Sequence, residues 1–359
     1  MKDAHIKNCR FYKGKKVLVT GHTGFKGAWL TVILDYMEAE AVGYSLAPSD
    51  GCLYEQITGD GLINSIEGDL LNYELLRKTI LDYKPEIVIH LAAFGFMKEC
   101  FEEPTKAYKT NLLGTLNLLE ILRECPSVKS IVLISTDKVY ENKGDGANYK
   151  EEDALGGQDP YSCSKVCMEF LARDYCKSYF QANGKMVGLA TVRASNVLAG
   201  GDHIQTRLIP TILRSIADGI PVELRNPLQT RPWQSVLDAL NGYLTIARYL
   251  YDNPTEYSGN WNIGPTRDGI RTVSWVFERM KERFSGLEGK KGEKFLVSES
   301  ETLGLDIGKA LKRLDWEPRL SCEKTIDLVV DFFKGQQAGY NIYEICQKQV
   351  SDFYGGEYE

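Results

Sequence analysis

Three things are in short supply in this chain of 359 residues: histidine, long apolar runs and surplus positive charge. There are four histidines, and the nine cysteines lie scattered at Cys9, Cys52, Cys100, Cys125, Cys163, Cys167, Cys176, Cys322 and Cys346. Cys163 and Cys167 are the closest pair, and nothing nearby completes a metal set. Isolated thiols of this kind read as reduced, the state expected in a cytoplasm. No stretch approaches the roughly 20 apolar residues that cross a bilayer. Met1 to Tyr12 is polar and lacks the apolar centre of a signal peptide. A net charge of −6, without a lysine or arginine block, offers no field for a nucleic-acid backbone. Metal, membrane and nucleic-acid roles are therefore not expected, and the chain is expected in the cytoplasm.

What remains is ordinary globular material, 43% hydrophobic and 26% charged. The first half alternates short apolar runs with helical stretches. Strands are expected at Lys16–Thr20, Ala41–Ser45, Ser65–Asp69, Glu86–Ala93 and Ser130–Ser135. Helices are expected at Ala28–Met37, Tyr73–Tyr83 and Ala107–Glu124, with Lys84-Pro85 ending the second. Continuous apolar strands separated by helices indicate a doubly wound parallel sheet, the Rossmann arrangement, covered on both faces. From Asp202 the pattern loosens into helices at Arg207–Ala217 and Ser235–Tyr251 and a strand at Val222–Arg225. Two further helices flank Trp316-Glu-Pro318, between Leu305 and Lys334. The reading is a dinucleotide-binding domain over residues 1–195. Residues 196–359 form a smaller mixed α/β substrate region over the mouth of the sheet, with some chain crossing back.

Gly21-His-Thr-Gly24-Phe-Lys-Gly27 follows the first strand and opens a helix. So tight a turn needs residues without a Cβ, and a diphosphate then lies against the helix amides. The G-x-x-G-x-x-G spacing resembles the short-chain dehydrogenases rather than the G-x-G-x-x-G of other dehydrogenases. Ser45 stands where the second strand would carry an acid for the adenosine ribose, and no arginine follows, so the choice between NAD and NADP stays open. Gly68-Asp69-Leu70 is placed to hold the adenine, unless it is only a turn.

Tyr161 and Lys165 are four residues apart and share a helix face. A lysine cation favours the phenolate, which would lower the Tyr161 pKa and fit it as a base for a sugar hydroxyl. Ser135-Thr-Asp-Lys-Val-Tyr140 stands at the end of a buried strand, where parallel sheets place their chemistry. Thr136 can bond a substrate hydroxyl, and Asp137 and Lys138 add two ionisable groups at the same edge. Asn111 either bridges backbone and water near Lys165 or is a plain helix-surface residue.

These segments stand in a familiar order, with His90-Leu-Ala-Ala93, Gly156-Gly-Gln-Asp-Pro-Tyr-Ser162, Arg193-Ala-Ser-Asn-Val197 and Gly200-Gly-Asp202. Arg207-Leu-Ile-Pro210, Arg231-Pro-Trp-Gln234, Trp261-Asn-Ile-Gly-Pro265 and Leu314-Asp-Trp-Glu-Pro318 continue it. The chain resembles the CDP-glucose 4,6-dehydratases, a branch of the extended short-chain dehydrogenase/reductases, over nearly its whole length. The Thr-Asp-Lys trio is the more specific part, since dTDP-glucose and GDP-mannose dehydratases usually carry glutamate at the Lys138 position.

The resemblance implies an NAD-dependent lyase that makes a 4-keto-6-deoxy sugar nucleotide by internal hydride transfer, a step in deoxysugar supply for cell-surface polysaccharide. It implies catalysis by Thr136, Asp137, Lys138, Tyr161 and Lys165, with Asp137 and Lys138 as acid and base of the elimination. Lys138 would then have to be neutral to accept a proton. Cofactor contacts are implied at Gly21, Thr23, Gly24, Phe25, Lys26, Gly27, Asp69, Leu70, Leu91, Ala92, Ala93, Asn111, Tyr161 and Lys165. Substrate contacts are implied at Phe94, Lys98, Thr136, Asn196, Arg207, Arg231 and Gln234. A homodimer through two helices beside the active site is also implied.

The chain departs from the family at Phe94-Gly-Phe-Met-Lys98, which replaces Gln-Pro-Leu-Val-Arg, and at Ser235, which replaces a histidine. The tryptophan-rich segment usual after the Thr-Asp-Lys strand is replaced by Asn142–Asn148. These changes leave the redox residues intact and keep other sugar nucleotides, linked to GDP, UDP or dTDP, and simple epimerisation as alternatives. A non-catalytic NAD-binding protein is a remote one.

Overall fold

Val17, Val19, Ile87, Ile89, Val132 and Ile134 point into one apolar cluster, while Leu18, Val88, Ile131 and Leu133 point into another. Successive side chains of a strand face opposite ways, so this alternation means a sheet with an apolar layer on each face. Fully burying one such side chain stabilises the fold by about 1.5–3 kcal/mol. The computed structural model describes residues 3–57, 61–144, 146–182, 184–204, 206–292 and 304–355.

In chain order the strands that place the site are β1 (Lys16–Thr20), β2 (Glu40–Ser45), β3 (Asn64–Glu67), β4 (Ile87–His90), β5 (Ser130–Ile134), β6 (Gly188–Ala194), β7 (Asn196–Leu198), β8 (Thr230–Ser235), β9 (Gly259–Ile263) and β10 (Ile270–Thr272). Seven of them form one parallel sheet in the order β9-β6-β5-β4-β1-β2-β3. This is the expected Rossmann sheet, and its order reverses between β1 and β4, where open α/β sheets bind ligands. β7, β8 and β10 make a small mixed sheet, β8 running parallel to β7 and antiparallel to β10.

The helices used below are α1 (Ala4–Tyr12), α2 (Phe25–Tyr36), α3 (Tyr73–Tyr83), α4 (Thr115–Glu124), α5 (Pro160–Tyr175), α6 (Leu208–Asp218), α7 (Val236–Asp252), α8 (Cys322–Gln337) and α9 (Ile342–Gly355). α3 stops at Lys84, which adopts a left-handed conformation before Pro85. β4 ends at His90, not Ala93, because its neighbour β1 turns away after Thr20. The helix expected at Ala107–Glu124 is broken by a wide π-turn over Lys109–Gly114, which carries Asn111. Such turns recur at functional sites.

The tail holds more than the two expected helices. Gly308–Arg313 and α8 flank Trp316, and α9 then returns to the dinucleotide side, where Tyr343 donates to Asp35 at 2.6 Å. α1, also unexpected, lies on α7 through Asn8 Nδ2, which donates to Asn241 Oδ1 at 2.8 Å. All nine cysteines are free thiols. Among the described residues no helix is long and apolar enough to cross a membrane.

Asp238, buried in α7, accepts the Arg319 and Leu320 amides at 2.8 and 3.0 Å and so ties α7 to the tail. Burial pushes its carboxyl up to about 7. A carboxyl whose folded pKa lies above its unfolded value adds stability that is complete at low pH and is lost as pH rises through about 7. Melting temperature should therefore fall between pH 5 and 7.5. Asp238→Asn should begin lower, since its NH₂ opposes one of the two amides, and should show a flatter profile. An unchanged slope in that variant would contradict the assignment.

Candidate active site

The site forms where β1, β4 and β5 end. Gly21 has φ +75°, and a Cβ there would stand 2.6 Å from the Ala92 nitrogen. At Gly27 a Cβ would fall 2.2 Å from the Gly21 carbonyl oxygen. Only glycine lets the turn, the start of α2 and the Leu91–Ala92 chain pass so closely. Gly24, exposed, is the N-cap of α2, which leaves the helix amides facing the cleft. Thr23 bonds Ser45 at 2.7 Å and so closes the turn onto the end of β2. Phe25 is in the core, Leu70 is buried, and Asp69 is exposed while its side chain accepts the Leu71 amide. His22, inside the turn, points away under Gly43 and bonds Ser65 at 2.7 Å; burial pushes its imidazole down to about 4.

Lys26 reaches inward, its Nζ donating to the Tyr243 hydroxyl at 3.1 Å. Burial and the nearby Arg207 cation bring its ammonium down to about 8. Tyr243 lies on α7 and was not foreseen; it is one buried position on a mostly buried helix, and no motif marks it.

β5 delivers Thr136, Asp137 and Lys138 on a short 3₁₀ turn capped by the Thr136 hydroxyl. Asp137 is buried; Oδ1 accepts the Thr136 hydroxyl at 3.2 Å and Oδ2 has no partner. Burial raises its pKa, against the pull of Lys138, Thr136, Arg231 and Lys26. Opposite, Asp159 and Ser162 form a capping box that starts α5, with Pro160 in its first turn. Tyr161 and Lys165 follow on that helix.

The expected effect of Lys165 on Tyr161 is not found. Burial pushes the phenol up to about 12, and its hydrogen bond with Thr136 offsets only part of this. Lys165 Nζ donates instead to the Ile134 carbonyl at 2.8 Å. Burial first, then Lys26, bring Lys165 down to about 8, and Glu169 opposes them.

Asn111 also has a different task from the one expected. It is fully buried, accepts the Phe94 amide at 2.8 Å, and donates to the Phe94 carbonyl and to Ser164 Oγ at 3.0 and 2.8 Å. Its amide thereby holds the Phe94 loop beside α5, and a Cβ on Gly95 would lie 3.6 Å from the Tyr161 ring. Phe94 itself lies under the Lys106 ammonium, 4.7 Å from the ring centroid. Leu91 stays tied to Thr20, and Ala93 is exposed where the chain leaves the sheet.

The residues expected to meet the substrate come from distant segments. Arg231 on β8 is buried and acts on Asp137, while Arg207 acts on Lys26 and Tyr161 and bonds Asp202 at 3.0 Å. Gln234 is buried, and its Oε1, like Ser195 Oγ, has no partner. Asn196 begins β7 beside Trp233. Lys98 does not join them: it is exposed and faces Glu102 one turn away at 3.7 Å. Ser235, at the position where the resembled family commonly carries a histidine, caps α7 by accepting the Leu237 amide at 3.2 Å. Lys26, Lys138 and Arg231 thus act on the buried Asp137 carboxyl, while Arg207 and Lys165 lie near enough to act on or feel Lys26. That cationic excess, the open α2 amides and the unpartnered atoms of Asp137, Gln234 and Ser195 suit a dinucleotide and a second anionic ligand.

Residues 17–264 match the model of the NAD dependent epimerase/dehydratase family. A CDP-glucose 4,6-dehydratase of Salmonella typhimurium is 39% identical over 352 residues, which span 96% of this chain and 97% of that protein. A dTDP-glucose 4,6-dehydratase of Xanthomonas campestris is 25% identical, with 89% and 93% covered. Among solved structures, the dTDP-glucose 4,6-dehydratase of Bacillus anthracis, in complex with NAD, superimposes with a TM-score of 0.76 at 23% identity, over 92% of this chain and 100% of that one. The epimerase Mth375 of Methanothermobacter thermautotrophicus superimposes with a TM-score of 0.80 at 21% identity, over 93% and 96%. These last two likenesses concern the fold.

Proposed function

Because the chain belongs to the NAD dependent epimerase/dehydratase family, we propose that it is a nucleotide-sugar 4,6-dehydratase, a lyase, acting on CDP-glucose with NAD as its cofactor. The observation that carries this reading is Asp137, a buried carboxyl with one unpartnered oxygen, next to Lys138 on the turn that also presents Thr136 to Tyr161. Simple epimerisation at C4 needs no such acid–base pair. The 39% identity to a CDP-glucose 4,6-dehydratase supports the choice of nucleotide.

Tyr161 Oη takes the proton of the sugar C4 hydroxyl while Thr136 Oγ1 orients that oxygen. When bound, NAD would supply the hydride acceptor and donor that couples oxidation at C4 to reduction at C6, so no outside oxidant is consumed. Lys138 Nζ removes the C5 proton, acidified by the new ketone, and gives it back to C5 when C6 receives the hydride. Asp137, which burial holds toward its protonated form, gives its proton to the C6 hydroxyl, which leaves as water. Lys26 and the first turn of α2 hold the cofactor diphosphate, and Lys165 stands beside the Tyr161 helix turn on the Ile134 carbonyl. Arg207 and Arg231 hold the substrate diphosphate through paired N–H groups, with Asn196 and Gln234 beside them. A second copy of the chain is the expected partner, since Phe101, Leu113 and Phe170 leave apolar surface exposed on the helices beside the site.

Purified protein, incubated with NAD and with CDP-glucose, dTDP-glucose, UDP-glucose or GDP-mannose, should give a 4-keto product absorbing in alkali. CDP-glucose should react at least ten times faster than the others. No product from any of the four would end the dehydratase reading, and preference for another would move the substrate. Light scattering on the same preparation should give twice the chain mass.

A further inference from the structure

Glu169 and Arg193 form an ion pair with almost no access to water, at 3% and 0% exposure. Burying two charges is unfavourable, and the mutual attraction seldom exceeds the loss of hydration, so such a pair is weak evidence of a stabilising role. Its geometry points elsewhere. Arg193 Nη2 meets Glu169 Oε2 at 2.6 Å, and Nε donates to both carboxylate oxygens at 3.0 and 3.1 Å. Three further bonds leave the pair, one of them from Arg193 Nη1 to the Glu151 carbonyl at 3.1 Å. Ser135 Oγ donates to Glu169 Oε1 at 2.6 Å, and Arg193 Nη1 donates to the Tyr140 hydroxyl at 2.8 Å.

Ser135 immediately precedes Thr136, and Tyr140 follows Lys138 by two residues. Tyr140 is held again from the far side, donating to Asn262 Oδ1 at 2.7 Å, and its ring stacks on Tyr149 with centroids 5.1 Å apart. Asn262 in turn donates to the carbonyls of Tyr149 and Asp306. Between these two anchors, the Asp137 side chain bonds only its neighbour Thr136 among the described residues. The acid therefore takes its orientation from the ends of its own short turn. Glu169 also lies one turn beyond Lys165 on α5, so the pair registers the Tyr161 helix against the β5 terminus.

We propose that Glu169 and Arg193 are positioning residues: one buried ion pair grips the Thr136–Lys138 turn at both ends and holds Asp137 and Lys138 in place for the loss of water. The role assigned to the turn rests on the dehydratase reading; the grip itself does not. Breaking the pair directly would strand a buried charge and endanger folding. The test therefore uses the two neutral links, in the double variant Ser135→Ala, Tyr140→Phe, measured on the full-length protein beside the wild type.

The variant should melt within a few degrees of the wild type, bind CDP within threefold of it, and keep KM within threefold. Reduction of NAD on first mixing with CDP-glucose should stay within threefold, while exchange of the C5 proton with solvent should slow at least tenfold. Amide hydrogen exchange at Lys138 and Val139 should speed up at least tenfold. Restoring a hydroxyl with Ser135→Thr, in the Tyr140→Phe background, should recover part of the C5 exchange. Unchanged amide exchange overturns the grip whatever the substrate is. Faster amide exchange with normal C5 exchange, or an equal fall in both half-reactions, overturns the positioning role. A wild type inert toward every sugar nucleotide removes the dehydratase reading and the positioning role with it, and leaves amide exchange to decide on the grip.

Discussion

Tyr161→Phe should lower the rate of sugar oxidation about 10³-fold, in the range a positioned base contributes, with little change in CDP or NAD binding. The substitution keeps the ring beside Gly95 and deletes only the oxygen that bonds Thr136. A single-turnover experiment following reduced nicotinamide isolates this step. The wild-type rate should also climb with pH between 7 and 9, because a phenol pushed up to about 12 is mostly protonated there and its base form grows with pH. The residual rate of the variant should lack that slope. If the slope persisted, the proton would be leaving through another group, and Lys26 and Lys165, each brought down to about 8, are the nearby alternatives.

The second large effect separates the two halves of the reaction. Lys138→Ala should leave reduction of NAD within about threefold of the wild type and slow C5 proton exchange by 10²-fold or more, the loss of a general base. Asp137→Asn should do the reverse within the elimination: C5 exchange survives, while loss of the C6 oxygen as water slows by a similar factor. The two variants therefore differ in deuterium uptake into unreacted keto sugar, measured by mass spectrometry in heavy water. A Lys138→Ala enzyme that exchanged C5 at the normal rate would exclude lysine as the base.

Much of this was legible in the sequence, for identifiable reasons. Apolar runs such as Lys16–Thr20 and Ser130–Ser135 are too short for a buried helix and are bounded by turn residues, so the parallel sheet could be read directly. The glycine turn carries its meaning in its spacing. Thr136, Asp137, Lys138, Tyr161 and Lys165 are local in sequence, and the structure brings them to one sheet edge. Failures arose where a side chain's partner is distant. Nothing near Asn111 announces that Phe94 will occupy its amide, and nothing near Lys165 announces the Ile134 carbonyl. Lys98 looked like a substrate ligand from its place in a motif, yet its own short helix turns it toward solvent and Glu102. Tyr243, Glu169 and Arg193 act through neighbours tens to hundreds of positions away, which no local pattern encodes. Ser235 shows the opposite case: a departure from the family pattern that the structure explains as a helix cap.

The last strand of the main sheet has a consequence for how such a protein can change over generations. β9 joins the edge beside β6 only after the chain has built β7, α6, β8 and α7. Its Asn262 then ties Tyr140, at the end of the Thr136–Lys138 turn, to Tyr149 and Asp306. Under the proposed function, the parts that would meet the sugar and the parts that would carry the dinucleotide are thus woven through one another rather than joined end to end. Recombination between relatives cannot trade a substrate half as a module without also replacing a sheet edge and the support of the catalytic turn. A new sugar preference has to be acquired one side chain at a time, in loops such as Phe94–Lys98, where the scaffold is left untouched.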